Sequence, residues 1–129
     1  VGATANILMA TTLAEGTSVL NNAAMEPEIT ALCDYLIGMG AKITGVGTKT
    51  LVIEGVEKLN PGKGKTIPDR IEAGTFLVGG AITRGRVKIT NAEPKDLKAV
   101  LEAKEIQENS ADFKSNNAYN NSNNNSQQE

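Results

Sequence analysis

The stretch GTSVLNNAAMEPEI (residues 16–29) decides the fold, because it joins a glycine, a strand-like run, an Asn-Ala turn and a Glu-Pro helix start. A shorter version of the same order, GRVKITNAEP, occurs at residues 85–94. An offset of 69 residues (85 minus 16) aligns Gly16 with Gly85, Asn22 with Asn91, and Ile7-Leu8 with Phe76-Leu77. Few identities support this internal repeat, but the order of its parts recurs. Such units bury their exposed faces on neighbouring units, so we expect a repeat-built α/β protein longer than this chain.

The elements around this stretch follow from apolar spacing and from capping residues. Thr4 is predicted to cap a first helix that runs through Ala14, and residues 17–22 are predicted to form a strand. A second helix opens at Glu26-Pro27 and ends at Gly38 and Gly40. Its apolar stripe consists of Ile29, Leu32, Cys33 and Leu36. Residues 41–44 and 50–54 are predicted to form a hairpin.

The second half of the chain repeats this order after a loop of turn-forming residues and lysines at residues 60–66. A helix is predicted over Ile71–Ile82, a strand over residues 86–90, and a further helix from Glu93-Pro94 with Leu97 facing inward. We therefore divide the chain into residues 1–66, residues 67–106 and a tail at residues 107–129. Residues 115–129 are mostly Asn, Ser and Gln and have no hydrophobic period, so this tail is predicted to be disordered.

The composition excludes several classes of function. The formal net charge of -2, with no basic stripe, argues against a nucleic-acid partner. The only cysteine is Cys33 and there is no histidine, which excludes an internal disulfide and a zinc site of the usual Cys/His kind. No apolar run is long enough to span a membrane. We expect a cytoplasmic protein that needs no metal or cofactor and has no nucleic-acid or membrane partner.

The candidate chemical motifs each have an ordinary structural explanation. The segment GKGKT at residues 62–66 lacks the first glycine of a phosphate-binding loop, because position 59 is Leu59. Cys33 lies on an apolar helix stripe with no histidine to activate it, which indicates a core thiol. Glu26 and Glu28 suit the positive end of a helix, and Asp69-Arg70 suits a helix cap or a helix-start salt bridge. A cleft beside the domain boundary is the functional alternative for Asp69-Arg70.

A family resemblance becomes visible when these segments are read in order. The segments VGAT (1–4), LAEGT (13–17), NAA (22–24) and EPEI (26–29) follow one another as in UDP-N-acetylglucosamine enolpyruvyl transferases. The stretch PDRIEAGTFLV (68–78) closely resembles a signature of that family, and residues 91–97 match its next element. The resemblance covers about residues 1–103. The sister enzymes of the shikimate pathway share the fold but match PDRIEAGTFLV less well.

The resemblance implies the fold class and the reaction. The fold would be the inside-out barrel of this family, in which each of two domains contains repeated α/β units with helices inside and sheets outside, and this chain would hold part of it. The family transfers the enolpyruvyl group of phosphoenolpyruvate to the 3-hydroxyl of UDP-N-acetylglucosamine, the first committed step of peptidoglycan synthesis. Residues 1–66 would complete one domain, and residues 67–106 would start the second.

The resemblance also implies the site residues. Val1 and Gly2 would close a Lys-x-Ser-Val-Gly segment that contacts the UDP-sugar. Glu26, Glu28, Asp69 and Arg70 match positions that we expect to line the cleft between the domains. The reactive cysteine of the family would precede this segment and its proton-abstracting aspartate would follow it, so no catalytic residue is expected here. Cys33 is not that reactive cysteine.

Three expectations remain open at this point. The parent enzyme could instead be 3-phosphoshikimate 1-carboxyvinyltransferase, or the chain could be a non-catalytic repeat module that packs against a partner. As an internal segment, the chain is expected to be inactive alone. We also expect the isolated chain to be marginally stable or to self-associate. Without the other repeat units of the parent protein, nothing would cover its apolar residues Ile7, Leu8, Leu13 and Phe76.

Overall fold

The computed structural model describes residues 1–102, and the predicted tail at residues 107–129, together with residues 103–106, lies outside the described residues. The chain divides into two compact units, the first of which is Val1–Ile67 and the second of which begins at Pro68. The first unit contains, in chain order, α1 (Gly2–Thr11), β1 (Thr17–Asn21), α2 (Pro27–Gly38), β2 (Lys42–Thr44) and β3 (Thr50–Glu54). The second contains α3 (Arg70–Ile82), a 3₁₀ turn (Pro94–Leu97) and α4 (Lys98–Leu101).

The sheet of the first unit is antiparallel, with the strand order β1-β3-β2. The predicted hairpin is confirmed: Ile43 of β2 pairs with Ile53 of β3, and the loop between the strands contains Gly45 at φ +80 and Gly47 at φ +78. Gly45 cannot be replaced without strain, because a Cβ on it would lie 2.1 Å from the carbonyl oxygen of Thr50. β1 pairs with the other edge of β3, so that Leu20 lies opposite Leu51.

The core of the first unit lies between one face of this sheet and the helices α1 and α2. Leu51 and Ile53 alternate with more exposed residues along β3, as expected for a sheet with one buried face. The residues buried in this core are Leu8, Ala23, Ile29, Cys33, Leu36, Ala41, Ile43, Leu51 and Ile53. The predicted stripe of α2 is therefore confirmed, and Leu32 packs against the same cluster from its edge.

Cys33 is a core residue, as the sequence indicates. Its side chain has no accessible surface. Burial raises the pKa of the Cys33 thiol, and the nearby carboxylate of Asp34 raises it further. The thiolate, which is the nucleophilic form, is therefore disfavoured in the folded unit.

The start and end of α1 differ from the prediction. The helix begins at Gly2 and ends at Thr11, so Thr4 lies in its first turn and is not its cap, and Ala14 lies beyond its end. Instead, the Thr4 hydroxyl accepts a hydrogen bond from the backbone N–H of Ala24, at 3.0 Å. The tertiary contact therefore determines the role of this hydroxyl. The prediction that α2 opens at Glu26-Pro27 and ends at Gly38 is confirmed.

The expectation that Leu8 is an exposed apolar residue is wrong. Leu8 is completely buried, because the single sheet and α2 already cover its side of α1. The other three, Ile7, Leu13 and Phe76, are at least half exposed, at 50%, 55% and 58%. Ile7 lies in α1, Leu13 follows the end of that helix, and Phe76 lies in α3, so these exposed apolar residues do not share one helix face.

The second unit has a small core of its own around α3. Ala73, Leu77 and Leu97 are buried, with Ile89, Ala92 and Leu101 packed against them. The strand predicted over residues 86–90 is wrong, since those residues form no ladder in the described chain. A strand needs a neighbour to satisfy its backbone N–H and C=O groups, and the described part of the second unit has no counterpart of β3. The helix predicted from Glu93-Pro94 is a 3₁₀ turn followed by the short α4.

The two units nevertheless repeat the same local geometry at the 69-residue offset. Asn22 and its counterpart Asn91 both adopt left-handed backbone conformations, at φ 56 and φ 58. Leu8 and its counterpart Leu77 are both buried, at 0% and 7% exposed. The residue before each, Ile7 or Phe76, points to solvent. The offset found in the sequence therefore aligns residues that have the same structural role.

We expect Gly55→Ala to destabilise the first unit by about 2 kcal/mol or more, as over-packing commonly does. A Cβ at this position would lie 1.6 Å from the carbonyl oxygen of Ala14. It would also disturb the hydrogen bond from Gly55 N to Gly16 O, which is 2.9 Å long. Urea unfolding of the 129-residue chain measures the effect. Gly38→Ala is the matched control, because nothing lies within 4 Å of its Cβ, and equal stabilities of the two variants would contradict the prediction.

We expect the Cys33 thiol to react with a maleimide roughly tenfold or more slowly in the folded chain than in urea, because it must first be exposed by local opening. The Asp34→Cys variant provides an internal control, since Asp34 is the exposed neighbour on the same helix. That variant should label in two phases, one fast and one slow. A single fast phase that accounts for both thiols would show that Cys33 is accessible.

Candidate functional site

A groove of about 610 Å³ lies in the first unit, where the start of α1 meets the turn that precedes α2. The groove is open to solvent and is lined by apolar side chains, backbone groups and two charged residues. Its lining residues are Val1, Ala3, Thr4, Asn22, Ala23, Ala24, Met25, Glu26 and Lys49. It thus contains two of the residues that the family resemblance selects, Val1 and Glu26.

The shape of the groove depends on the turn after β1. Asn22 has φ 56, a conformation that asparagine adopts more readily than most residues, and it redirects the chain away from the sheet. Ala23 is then buried, and its N–H donates to the carbonyl of Lys49 at 2.9 Å. Ala24 N–H donates to the hydroxyl of Thr4 at 3.0 Å. The turn is therefore held on one side by the hairpin loop and on the other by α1.

Val1 and Gly2 form the beginning of α1. The carbonyl of Val1 accepts the first helical hydrogen bond, from Ala5 N at 2.9 Å, and the side chain of Val1 gives the helix no cap. The carbonyl of Gly2 accepts a hydrogen bond from Asn6 Nδ2, also at 2.9 Å. Val1 lines the groove, whereas Gly2 follows it in the helix without lining the groove. The positive end of the helix dipole therefore lies at the groove, which favours a negatively charged group there.

Glu26 and Glu28 lie at the start of α2. The backbone of Glu26 caps the helix, with its carbonyl accepting from Ile29 N at 2.9 Å, but its side chain makes no capping hydrogen bond. Glu26 is also one of the lining residues of the groove. Glu28 lies in the first helical turn and is half-buried, outside the lining of this groove. The structure thus separates the two carboxylates: Glu26 is at the groove and Glu28 is not.

Lys49 is a groove residue that sequence reasoning missed. In the sequence it is a lysine in a hairpin loop after Gly47, which is typical of a solvated position. Pairing of β2 with β3 and the bond from Ala23 to its carbonyl bring this loop to the groove. No local signal could have identified it, because its place depends on a contact between residues that are far apart in the sequence.

Asp69 and Arg70 lie at the start of α3 in the second unit. One oxygen of Asp69, Oδ1, accepts hydrogen bonds from Ile71 N at 2.8 Å and Glu72 N at 3.0 Å. Asp69 is therefore the side-chain cap of α3, which confirms the ordinary structural explanation for it. Arg70 is the first residue of the helix and is half-buried.

A second groove, of about 250 Å³, lies beside this helix start. It occupies the position in the second unit that the first groove occupies in the first unit, between a helix start and an Asn-Ala turn. Its lining residues are Pro68, Asp69, Glu72, Ala73, Phe76, Ile89, Thr90, Asn91 and Ala92. Asp69 thus both caps a helix and lines a groove, while Arg70 is not part of the lining.

The other motifs have structural roles. A Cβ on Gly62 or Gly64 would lie within 2.7 Å of Met39 or Tyr35, so the lysine loop passes closely over α2. The loop does not lead directly into a helix, since α3 begins at Arg70. Within residues 1–102, no three His, Cys, Asp or Glu side chains are grouped so that they could hold a metal ion. In the same part of the chain, no helix has the length and apolar character of a membrane span.

Comparison with known proteins gives a consistent assignment. The family model described as EPSP synthase (3-phosphoshikimate 1-carboxyvinyltransferase) matches residues 1–127. A relative from Shewanella denitrificans is 59% identical over 101 residues, which are 78% of this chain and 24% of the relative. One from Bdellovibrio bacteriovorus is 57% identical over 101 residues, with the same shares of both chains. One from Chloroherpeton thalassium is 57% identical over 102 residues, 79% of this chain and 24% of the relative.

All three relatives carry the name UDP-N-acetylglucosamine 1-carboxyvinyltransferase, so they are enzymes of the class that the sequence resemblance indicates. The chain spans about a quarter of the length of these relatives. The match extends over nearly the whole chain for the family model and over more than three quarters of it for the individual relatives. The resemblance drawn from the sequence is therefore confirmed, and the chain belongs to the EPSP synthase family of carboxyvinyltransferases.

Proposed function

We propose that this chain supplies part of the substrate cleft of a UDP-N-acetylglucosamine 1-carboxyvinyltransferase. The observation that carries the proposal is the identity of 55–59% over 78% of the chain to several relatives with that one name. The groove at the start of α1 supports it, because Val1 and Glu26 line one open surface there. The protein would act in the cytoplasm, in the first committed step of peptidoglycan synthesis.

The proposed reaction joins phosphoenolpyruvate to the nucleotide sugar. The sugar 3-hydroxyl oxygen adds to C2 of phosphoenolpyruvate, a proton is added to its methylene carbon, and the hydroxyl proton passes to a base. Loss of a methyl proton and of inorganic phosphate from the tetrahedral adduct then restores the double bond. Both substrates carry phosphate groups, and a cleft that binds them needs donors and positive electrostatic potential. In the first groove, the start of α1 and Lys49, a cationic residue of the lining, contribute such potential.

The proposed roles of the residues follow their positions. Val1 and Gly2 contact the UDP-sugar from the start of α1. Glu26 lines the same groove and accepts hydrogen bonds from sugar hydroxyl groups, which a carboxylate can do with both oxygens. Glu28, Asp69 and Arg70 line the wider cleft of the complete enzyme, where Asp69 also caps α3. No catalytic residue is assigned within this chain, and the chemistry requires no metal or other cofactor.

The proposed architecture is the inside-out barrel of the family, of which this chain holds a part. Residues 1–66 complete one domain and residues 67–106 begin the other. Two features of the first unit agree with the outer sheets and inner helices of such a barrel. Thr17 and Glu54 occupy the exposed face of the sheet, and Ile7 of α1 and Leu13, in the turn after it, leave an apolar side of the unit open. Further repeat units would cover that apolar side.

A second candidate is 3-phosphoshikimate 1-carboxyvinyltransferase, because the matching family model carries that description. The two enzymes would use the same enolpyruvyl donor with different acceptors. The hypothesis that the chain is a non-catalytic repeat module differs from both, since such a module requires no substrate. The acceptor that supports turnover therefore separates the three proposals.

We expect the matched segment of this chain to function when it replaces the corresponding 101 residues of the full-length relative from Shewanella denitrificans. The chimera should release phosphate from phosphoenolpyruvate with UDP-N-acetylglucosamine and not with shikimate 3-phosphate. The unmodified relative is the positive control, and the 129-residue chain alone should release none. Turnover only with shikimate 3-phosphate would replace the first proposal by the second. A folded chimera that is inactive with both acceptors would favour the non-catalytic module.

We expect Glu26→Gln in this chimera to lower kcat/KM for UDP-N-acetylglucosamine roughly tenfold or more, because a hydrogen bond to a charged group contributes about 1.5–3 kcal/mol. The matched control is Glu15→Gln, which removes the same charge from an exposed loop position outside the groove. The control should change kcat/KM by less than about twofold. Equal effects of the two substitutions would remove Glu26 from the proposed site.

A further inference from the structure

Thr4 makes a hydrogen bond that crosses the groove of the first unit. It lies in the first turn of α1, half-buried, and its hydroxyl accepts from the backbone N–H of Ala24 at 3.0 Å. The two residues are 20 positions apart in the sequence, so this is a tertiary contact and not local helix capping. Both residues line the groove, one on the helix and the other on the turn. The bond therefore joins the two sides of the groove.

The segment held by this bond carries Glu26. From Asn22, whose left-handed backbone starts the turn, the chain reaches Glu26 without any strand or helix. Ala23 N fixes the beginning of the turn on the carbonyl of Lys49, and Ala24 N fixes its middle on Thr4. The second bond therefore gives the turn that leads to Glu26 a directional contact with α1.

Comparison of the two units indicates that the packing of a helix start against an Asn-Ala turn does not require this hydroxyl. At the 69-residue offset, Thr4 corresponds to Ala73, which has no side-chain oxygen. The second unit still forms α3, the left-handed Asn91 and the buried Ala73 beneath them. The helix and the Asn-Ala turn can thus pack together with an alanine at this position. The threonine is an additional feature of the groove that contains Val1 and Glu26.

We propose that Thr4 is a positioning residue for the nucleotide sugar. By holding Ala24, it sets the separation between the start of α1 and the segment that carries Glu26, and so keeps both sides of the groove in the arrangement that binds the UDP-sugar. This inference rests on the function proposed above. Thr4 acts through the backbone of Ala24, and its role belongs to substrate binding and not to the chemical step.

The test uses Thr4→Val, which keeps the shape of the side chain and removes the acceptor, and Thr4→Ser, which retains the hydroxyl. Thr11→Val is the matched control, because the Thr11 hydroxyl in the same helix donates to the carbonyl of Ile7 at 2.9 Å and does not line the groove. In the chimera described above, Thr4→Val should raise KM for UDP-N-acetylglucosamine about fivefold with kcat within about twofold of the unsubstituted chimera. Thr4→Ser should restore KM, and Thr11→Val should leave it unchanged.

A second measurement tests the hydrogen bond between Ala24 N and the Thr4 hydroxyl directly, in the 129-residue chain without substrate. Amide hydrogen exchange at Ala24 should become about tenfold faster in Thr4→Val and not in Thr4→Ser or Thr11→Val. Unchanged exchange at Ala24 would overturn the proposal, as would an unchanged KM in an active Thr4→Val chimera. Equal loss of activity in Thr4→Val and Thr11→Val would show a general structural effect and would also overturn it. A folded unsubstituted chimera with no activity would instead overturn the proposed function, and the role of Thr4 with it.

Discussion

The first unit depends on the burial of one face of β3, the central strand of its sheet. Leu51 and Ile53 are almost or completely inaccessible, and each fully buried side chain of this size contributes about 1.5–3 kcal/mol. Leu8 of α1 and Cys33 of α2 cover this face and have no accessible surface themselves. Because β3 pairs with β1 on one side and β2 on the other, its position fixes both neighbours. The groove is a consequence of that arrangement, since its turn follows β1 and its lysine comes from the β2–β3 loop.

The groove residues combine structural and proposed functional roles in different ways. Asp69 has a complete structural role as the cap of α3, and its presence needs no substrate to explain it. Glu26 caps α2 with its backbone, its side chain makes no capping hydrogen bond, and the residue lines the groove. Thr4 has no capping role in α1 and bonds to the turn instead. These differences make Glu26 and Thr4 stronger candidates for roles in substrate binding than Asp69.

Most elements of the first unit could be predicted because their signals are local. Pro27 at a helix start, the glycines of the β2–β3 loop and the apolar stripe of α2 each act within a few residues of their own position. The strand predicted over residues 86–90 failed for the opposite reason, because strand formation depends on a partner from elsewhere in the chain. The predicted cap at Thr4 is wrong for a similar reason: threonine suits a cap locally, but Ala24 provides it with a tertiary partner.

The sequence by itself determined the family, the repeat and the residue types at the helix starts. Family signatures such as residues 68–78 are linear patterns, and the 69-residue offset needs only the order of residues. Only the tertiary structure decided that Val1 and Glu26 share a groove while Glu28 lies outside it, that Lys49 joins them, and that Leu8 is buried. These facts depend on which distant segments pack together. Strand pairing and side-chain burial fix that packing, and no single segment contains the information about its partner.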